Sequence, residues 1–208
     1  MRRSIPGWLQ TLLILLLLAF LVGLGYANYR FALAAPGGND FLSRWNGAHL
    51  WLTQGINPYD PQVSLSSQML IYGHPADPAK GEDIAHFVYP LPAMIFFAPF
   101  GLLPFTTARA VWMTLLELAL PALALIGIRL AEWKAGPGIA SAKMVFSVVW
   151  YHSFRAIIVG QFAVIEALLL AGALIAVLRG QGVLGGILLA LTIAKPQMTF
   201  LLVPFLLF

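Results

Sequence analysis

Residues 8–27, WLQTLLILLLLAFLVGLGYA, form an apolar run without a charged side chain. A helix of about 20 residues rises about 30 Å, which matches the hydrocarbon core of a bilayer. The whole chain is similarly apolar, with 60% hydrophobic residues, 10% charged residues and a mean hydropathy of +0.86. These values lie well outside the usage of soluble globular domains. We therefore predict an all-α integral membrane protein that folds as a polytopic helical bundle.

The residues that flank this run predict its orientation. Arg2 and Arg3 precede the run, and the positive-inside rule then places the N-terminus in the cytoplasm. An alternative is a cleaved signal peptide, because residues 32–34 read ALA and match the A-x-A pattern of a cleavage site. Under either interpretation, residues 35–88 are extracytoplasmic.

Several classes of function are excluded by composition and by missing motifs. The net charge of +4 comes from Lys and Arg that are scattered between apolar runs, which argues against nucleic acid as a partner. The chain has no Cys, and its four His are isolated, so neither disulfides nor a metal site is predicted. It also lacks the GxxxxGKS, GxSxG and HExxH patterns of nucleotide-binding proteins, serine hydrolases and zinc proteases.

Apolar blocks in the second half of the chain predict a membrane bundle. These blocks are 87–105, 107–131, 141–158, 161–178, 183–194 and 198–208. The chain thus divides into an N-terminus with its first transmembrane helix (1–34), an outer loop (35–88) and a helix bundle (89–208). The outer loop is the longest polar stretch, so we expect the chemistry to lie there.

One amphipathic helix is predicted within the outer loop. Phe41, Trp45, Ala48 and Leu52 recur at helical spacing, which predicts an interfacial helix from about Asp40 to Thr53. We expect its apolar stripe to lie among the lipid headgroups. Turn-forming residues follow at 55–60, and residues 73–85 are expected to form an irregular loop.

The segment 89–105 decides which side of the membrane the later residues face. It contains four prolines, which interrupt the backbone hydrogen bonds of a helix. If the segment re-enters and leaves on the same side, Gln161 and Lys195 lie on the face of Asp40. If it crosses the membrane, both lie on the opposite face. The distribution of basic residues favours re-entry.

Asp40 allows two interpretations. A carboxylate held beside the bilayer is suited to act as a general base. Alternatively, Asn39 or Asp40 caps the predicted helix, with Arg44 as an ion-pair partner four residues further on.

Charged residues within the later apolar blocks need partners or a function, because charge inside a membrane is costly. We predict that Glu117 and Glu166 pair with Arg109 or His152 across the bundle.

Two further cations, Arg155 and Lys195, are candidates to bind an anionic group in a water-filled cavity. The alternative for both is that the side chain extends to the membrane interface, where the charge stays in water.

An ordered set of short motifs resembles a known family. The motifs are Asp40-Phe41 with the aromatic helix, GINPYD at 55–60, YPLP at 89–92, Gly160-Gln161, and Lys195-Pro196-Gln197. In this order they resemble membrane glycosyltransferases of the GT-C type, and most closely the polyprenyl-phosphate-mannose-dependent group called glycosyltransferase family 87. The resemblance runs from about residue 38 to the end of the chain.

The resemblance implies transfer of a sugar, mannose, from a polyprenyl-phosphate donor to a hydroxyl of a glycan or glycolipid acceptor. In the enzymes that the chain resembles, the Asp of the first outer loop is the general base, and Asp40 matches it. Candidate substrate-binding residues are Arg44, Trp45, Asn57, Tyr59, Tyr89, Arg155, Gln161, Lys195 and Gln197. No metal or other cofactor is implied. Membrane lipids are expected partners, and the plasma membrane of a prokaryote is the expected location.

Enzymes of the GT-C type are usually longer, so we expect these 208 residues to be an N-terminal portion. Two other functions stay open. A transporter or flippase would use the proline-broken helices as a midplane site, but it predicts repeated breaks, and we find no convincing internal repeat. A non-catalytic scaffold would bind a partner through the outer loop and would tolerate the loss of the Asp40 carboxylate.

Overall fold

The computed structural model describes residues 6–35 and 37–200, which are helical or irregular and contain no β-strand. The α-helices of this part of the chain are α1 (Gly7–Ala34), α2 (Asn39–Gln54), α3 (Pro61–Tyr72), α4 (Met94–Gly101), α5 (Phe105–Leu130), α6 (Pro137–Val149), α7 (Tyr151–Val159), α8 (Ala163–Leu178) and α9 (Gly182–Leu191). Short 3₁₀ turns lie at Pro78–Lys80, Leu91–Ala93, Thr192–Ala194 and Pro196–Met198. The prediction of an all-α protein is confirmed.

Two of the described helices, α1 and α5, are long and apolar enough to cross a membrane. A third span is present if α7 and α8 count as one broken helix, and these two are bent by 112° at their junction. In α1 only Asn28 is buried, so its apolar side chains are free to face lipid. Most of the predicted apolar blocks therefore form shorter helices than a full span. The block at 141–158 divides at Trp150 into α6 and α7.

The proline-rich segment forms a helix too short to cross. Its 3₁₀ turn and α4 together run from Leu91 to Gly101. At about 1.5 Å per residue they extend roughly 16 Å, about half of a hydrocarbon core. A short apolar helix of this kind agrees with the re-entrant interpretation.

The predicted helix of the outer loop is present as α2, with both ends within a residue or so of the prediction. Glycines bound it: Gly38 precedes α2 with a φ of 76°, and Gly55 follows it with a φ of 70°. The left-handed region strains other residues and is open to glycine. The expected surroundings of its apolar stripe were wrong, since Phe41 and Ala48 are fully buried against α4 and α5. Only the end of the stripe, at Leu52, is exposed.

The backbones of α2 and α4 pack in close contact. A Cβ added at Gly101 would lie 2.9 Å from the backbone of Ala48 and His49, which is closer than real Cβ atoms approach. His49 also uses Nδ1 in a 2.8 Å hydrogen bond with the carbonyl of Gly101. The helix that carries Asp40 is therefore fixed to α4.

The helix α3 was not predicted, although its start has a clear signal. Asp60 accepts a 2.9 Å hydrogen bond from the backbone of Gln62, and Pro61 occupies the first helical position. Both residues are favoured at helix starts. The loop at 73–85 is irregular as predicted, apart from one 3₁₀ turn. Most of the predicted block 198–208 lies outside the described residues.

An aromatic core lies against one side of α5. The indole of Trp112 stacks on Phe41 with centroids 5.0 Å apart, and it also contacts Phe97, Phe100 and Phe162. Such pairs add to the stability that the buried area provides. This core connects α2, α4 and α8 to one side of α5.

Candidate active site

Asp40 contacts a residue that is distant in the sequence. The side-chain amide of Gln161 donates a hydrogen bond to Oδ2 of Asp40. Asp40 lies in the first turn of α2, and Gln161 lies at the break between α7 and α8. The capping interpretation was wrong, because Gly38 is the N-cap and no side chain caps this helix start. The carboxylate is thus directed to the bundle instead of to its own backbone.

Arg44 contributes a positive charge beside this carboxylate. Its Nη1 donates a hydrogen bond to the backbone carbonyl of Asp40 and lies 3.9 Å from Oδ1, which is the predicted ion pair. The guanidinium also lies over the ring of Tyr89, with Cζ 4.8 Å from the ring centroid. Nη1 also lies 3.4 Å from the hydroxyl of Ser43, so several contacts hold the guanidinium beside Asp40.

Tyr89 is buried and forms part of the wall of the site. It is 4% exposed, and burial raises the pKa of its hydroxyl despite the lowering effect of Arg44. Its backbone carbonyl accepts a 2.6 Å hydrogen bond from the hydroxyl of Tyr59. Tyr59 therefore anchors the segment that carries Tyr89.

A small cavity of about 290 Å³ opens next to Asp40. Residues predicted as site candidates line it: Asp40, Arg44, Tyr89, Gln161, Lys195 and Gln197. They come from four separate parts of the chain, so the fold gathers most of the predicted set at one place. Gln161 and Lys195 thus lie on the face of Asp40, as the re-entrant interpretation requires.

Lys195 supplies a second cation to the small cavity. It lies between the 3₁₀ turns Thr192–Ala194 and Pro196–Met198, and the first of these packs against α8. Burial lowers the pKa of its ammonium group, and nearby Arg44 lowers it further. The carboxylates of Asp40 and Glu166 act in the opposite direction. The small cavity therefore contains two cations beside one carboxylate.

A larger cavity of about 630 Å³ also borders Asp40. Asp40, Arg44 and Gln161 line both cavities, so they form part of the wall between them. Arg155 lines only the larger cavity and is therefore separated from Lys195. The larger cavity also contains polar residues that were not predicted as site candidates, among them Asn39, Asp83, His86 and His152.

A sequence signal for two of those residues was available. Asp83 and His86 come shortly before Tyr89 in the outer loop. Between them, Ala85 has a φ of 50°, a backbone conformation that is unusual for a residue other than glycine. A polar cluster directly before the YPLP motif indicated this wall, whereas nothing in the local sequence indicated His152.

Three predicted site residues lie elsewhere. Trp45 is 8% exposed and donates a 3.0 Å hydrogen bond to the carbonyl of Leu103, so it belongs to the core. Asn57 accepts a 3.1 Å hydrogen bond from the backbone of Tyr59 and shapes the turn after α2. Neither Trp45, Asn57 nor Tyr59 lines a cavity that contains Asp40.

The predicted pairing of buried carboxylates was wrong. Glu117 accepts a 2.7 Å hydrogen bond from Asn28. Glu166 is fully buried, and neither of its oxygens has a hydrogen-bond partner among the described residues. Arg109 instead donates a 2.7 Å hydrogen bond to the carbonyl of Ala35.

Gly160 permits the contact between the two halves of the site. Its φ is 78°, and a Cβ there would lie 2.5 Å from the Cβ of Phe41. Its carbonyl accepts a 3.1 Å hydrogen bond from Nε1 of Trp112. Only glycine therefore fits where the break after α7 meets the residue that follows Asp40.

We predict that Gly160→Ala destabilises the protein by about 2 to 5 kcal/mol, through backbone strain and overpacking. Gly180→Ala is the matched control. Gly180 also has a positive φ, 69°, but nothing lies within 4 Å of its added Cβ. Thermal unfolding of both variants in the same detergent separates the steric part of the loss of stability from the part that is due to backbone strain. Equal unfolding temperatures would show that Gly160 and Phe41 are not in close contact.

The fold and the site together define a class of protein: an all-α membrane protein that holds a carboxylate and one cation between two cavities, with a second cation in the smaller cavity. The model of glycosyltransferase family 87 matches residues 87–208. Since the match covers more than half of the chain, this protein belongs to glycosyltransferase family 87 and is a membrane glycosyltransferase. The matched region includes Tyr89, Gln161 and Lys195, whereas Asp40 precedes it. No curated protein and no solved structure matches the chain.

Proposed function

We propose that this chain transfers a sugar from a polyprenyl-phosphate donor to a hydroxyl of an extracytoplasmic glycan or glycolipid, with Asp40 as the general base. The proposal rests mainly on the position of Asp40 in the wall between two polar cavities. A base in this wall can contact an acceptor in one cavity while the donor occupies the other. Mannose is the sugar implied by the resemblance to the polyprenyl-phosphate-mannose-dependent enzymes.

The small cavity suits the phosphate of the donor. When the sugar leaves, the bond between its C1 and the phosphate oxygen breaks, and the oxygen keeps the electron pair. Lys195 and Arg44 both line this cavity, so their charges stabilise the negative charge that develops on the departing polyprenyl phosphate. Gln197 and Tyr89 complete the wall with further polar groups.

The larger cavity suits the acceptor. Its walls contain hydrogen-bonding side chains such as His86, His152 and Asp83, and its volume of about 630 Å³ fits a polar sugar. Asp40 takes the proton of the acceptor hydroxyl while that oxygen attacks C1 from the side opposite the phosphate. One bond forms as another breaks, so the configuration at C1 inverts. Gln161 orients the carboxylate through its hydrogen bond to Oδ2.

The arrangement in the membrane follows from the donor. A polyprenyl tail stays in the hydrocarbon region, so its phosphate and sugar lie at the interface. With a cytoplasmic N-terminus, α1 delivers α2 and Asp40 to the outer interface of a prokaryotic plasma membrane. The short helix α4 then returns the chain to the same side, which brings Lys195 to the donor phosphate.

Donor competition tests this proposal. Purified protein in liposomes receives either a labelled polyprenyl-phosphate sugar or the corresponding nucleotide sugar, together with a mixture of glycolipid acceptors. We expect label to reach the acceptors only from the lipid-linked donor. Transfer from the nucleotide sugar alone would overturn the assignment of the donor class.

A further inference from the structure

Two side chains of α5 contact the two segments that meet at the active site. Arg109 and Trp112 are three residues apart, so they lie on neighbouring positions of one helix face. Arg109 contacts the connection between α1 and α2, and Trp112 contacts the break between α7 and α8. Neither side chain lines a cavity that contains Asp40.

Arg109 fixes the chain at the start of α2. Its Nη1 donates a 2.7 Å hydrogen bond to the carbonyl of Ala35. A Cβ at Gly37 would lie 3.1 Å from Nη2, and one at Gly38 would lie 2.9 Å from Nε, so the two glycines allow the guanidinium to pack against the backbone. Arg109 is only 2% exposed. Burial of a charge at this point is costly, which indicates a role beyond solubility.

Trp112 contacts a neighbour of each partner in the Asp40–Gln161 hydrogen bond. Its indole N–H donates to the carbonyl of Gly160 at 3.1 Å, and Gly160 precedes Gln161. Its ring stacks on Phe41 with an interplanar angle of 11°, and Phe41 follows Asp40. A single side chain thus sets the spacing between two segments that are far apart in the sequence.

We propose that Arg109 and Trp112 are positioning residues that align Asp40 with Gln161. The expected effect of this alignment on catalysis rests on the function proposed above. The long helix α5 serves as a rigid reference for both segments. A general base misplaced by about 1 Å loses up to about 100-fold in rate, so this alignment is reflected in kcat.

Two substitutions test the alignment. Trp112→Phe removes the N–H donor and keeps an aromatic ring against Phe41. Arg109→Met removes the guanidinium and keeps a long side chain. For each, we expect kcat of sugar transfer per folded molecule to fall about 10- to 100-fold. The KM for the donor should change little, because the cations of the small cavity are untouched.

Asn28→Ala is the matched control for loss of stability. Asn28 donates hydrogen bonds from α1 to Thr114 and Glu117 on α5, at 3.0 and 2.7 Å. Its loss weakens the packing between α1 and α5 but leaves both contacts of the positioning pair intact. We expect this variant to unfold at a lower temperature while its kcat per folded molecule stays unchanged.

A second readout does not depend on activity. The chain has no Cys, so Asp40→Cys combined with Gln161→Cys gives one unique pair, which a short bifunctional thiol reagent can link. Adding Trp112→Phe should slow the cross-linking several-fold. An unchanged cross-linking rate would overturn the positioning role whatever the kcat. If wild-type protein transfers no sugar and cross-linking still slows, the positioning role stands and the proposed function fails.

Discussion

Asp40→Asn is expected to abolish sugar transfer while the protein still folds and inserts. A general base contributes about 10²- to 10⁴-fold, and an amide cannot accept the proton of the acceptor hydroxyl. Asn has the size of Asp and keeps an oxygen for the hydrogen bond from Gln161. Initial rates of transfer in liposomes, normalised to folded protein, measure the effect.

Asp77→Asn is the control for loss of a carboxylate. Asp77 lies in the same outer loop, and its side chain caps the 3₁₀ turn Pro78–Lys80. Asn is equally good at such a position, so this variant should transfer sugar at the wild-type rate. Retained transfer by Asp40→Asn would remove Asp40 from the role of base and would favour a scaffold function for the outer loop.

Lys195→Met is expected to lower kcat about 10²- to 10³-fold, as removal of one group that stabilises developing charge does in other enzymes. The side chain lines the small cavity, where we propose that the phosphate departs. Lys80→Met is the control, because Lys80 is exposed, pairs with Asp77 and lines neither cavity. Wild-type kcat in Lys195→Met would show that the phosphate leaves elsewhere.

The pH dependence of transfer gives an independent test of Lys195. The charged groups that act on it are Arg44, Asp40 and Glu166. Burial and Arg44 lower its pKa, so the ammonium is lost at a lower pH than for an ordinary lysine, and transfer should fall as the pH rises through that pKa. Lys195→Arg keeps its charge at any relevant pH. In this variant the alkaline decline should move to higher pH.

The class of fold could be predicted because apolar content and run length are strong signals. The helix α2 was also predictable, since the spacing of Phe41, Trp45 and Ala48 defines its apolar stripe. The surroundings of that stripe were not, because lipid and a protein core both favour apolar side chains. Periodicity reports which face is apolar and does not report what covers it.

The composition of the site was predictable only in part. The ordered motifs indicated Asp40, Tyr89, Gln161 and Lys195, and the fold gathers all four around one cavity. Their contacts depend on backbone geometry that single positions do not reveal, such as the positive φ of Gly160. Although Asp83 and His86 form a polar cluster before the YPLP motif, nothing in the sequence connects them with Asn39 or His152, so the larger cavity was missed.

The configuration of the transferred sugar distinguishes a single displacement with Asp40 as base from other mechanisms. Wild-type protein in liposomes would convert a polyprenyl-phosphate sugar of known anomeric configuration, and NMR spectroscopy of the isolated product would give the new configuration at C1. A single displacement with Asp40 as general base predicts inversion. A product that keeps the configuration of the donor would exclude a single displacement from the side opposite the phosphate, and it would contradict the role assigned to Asp40.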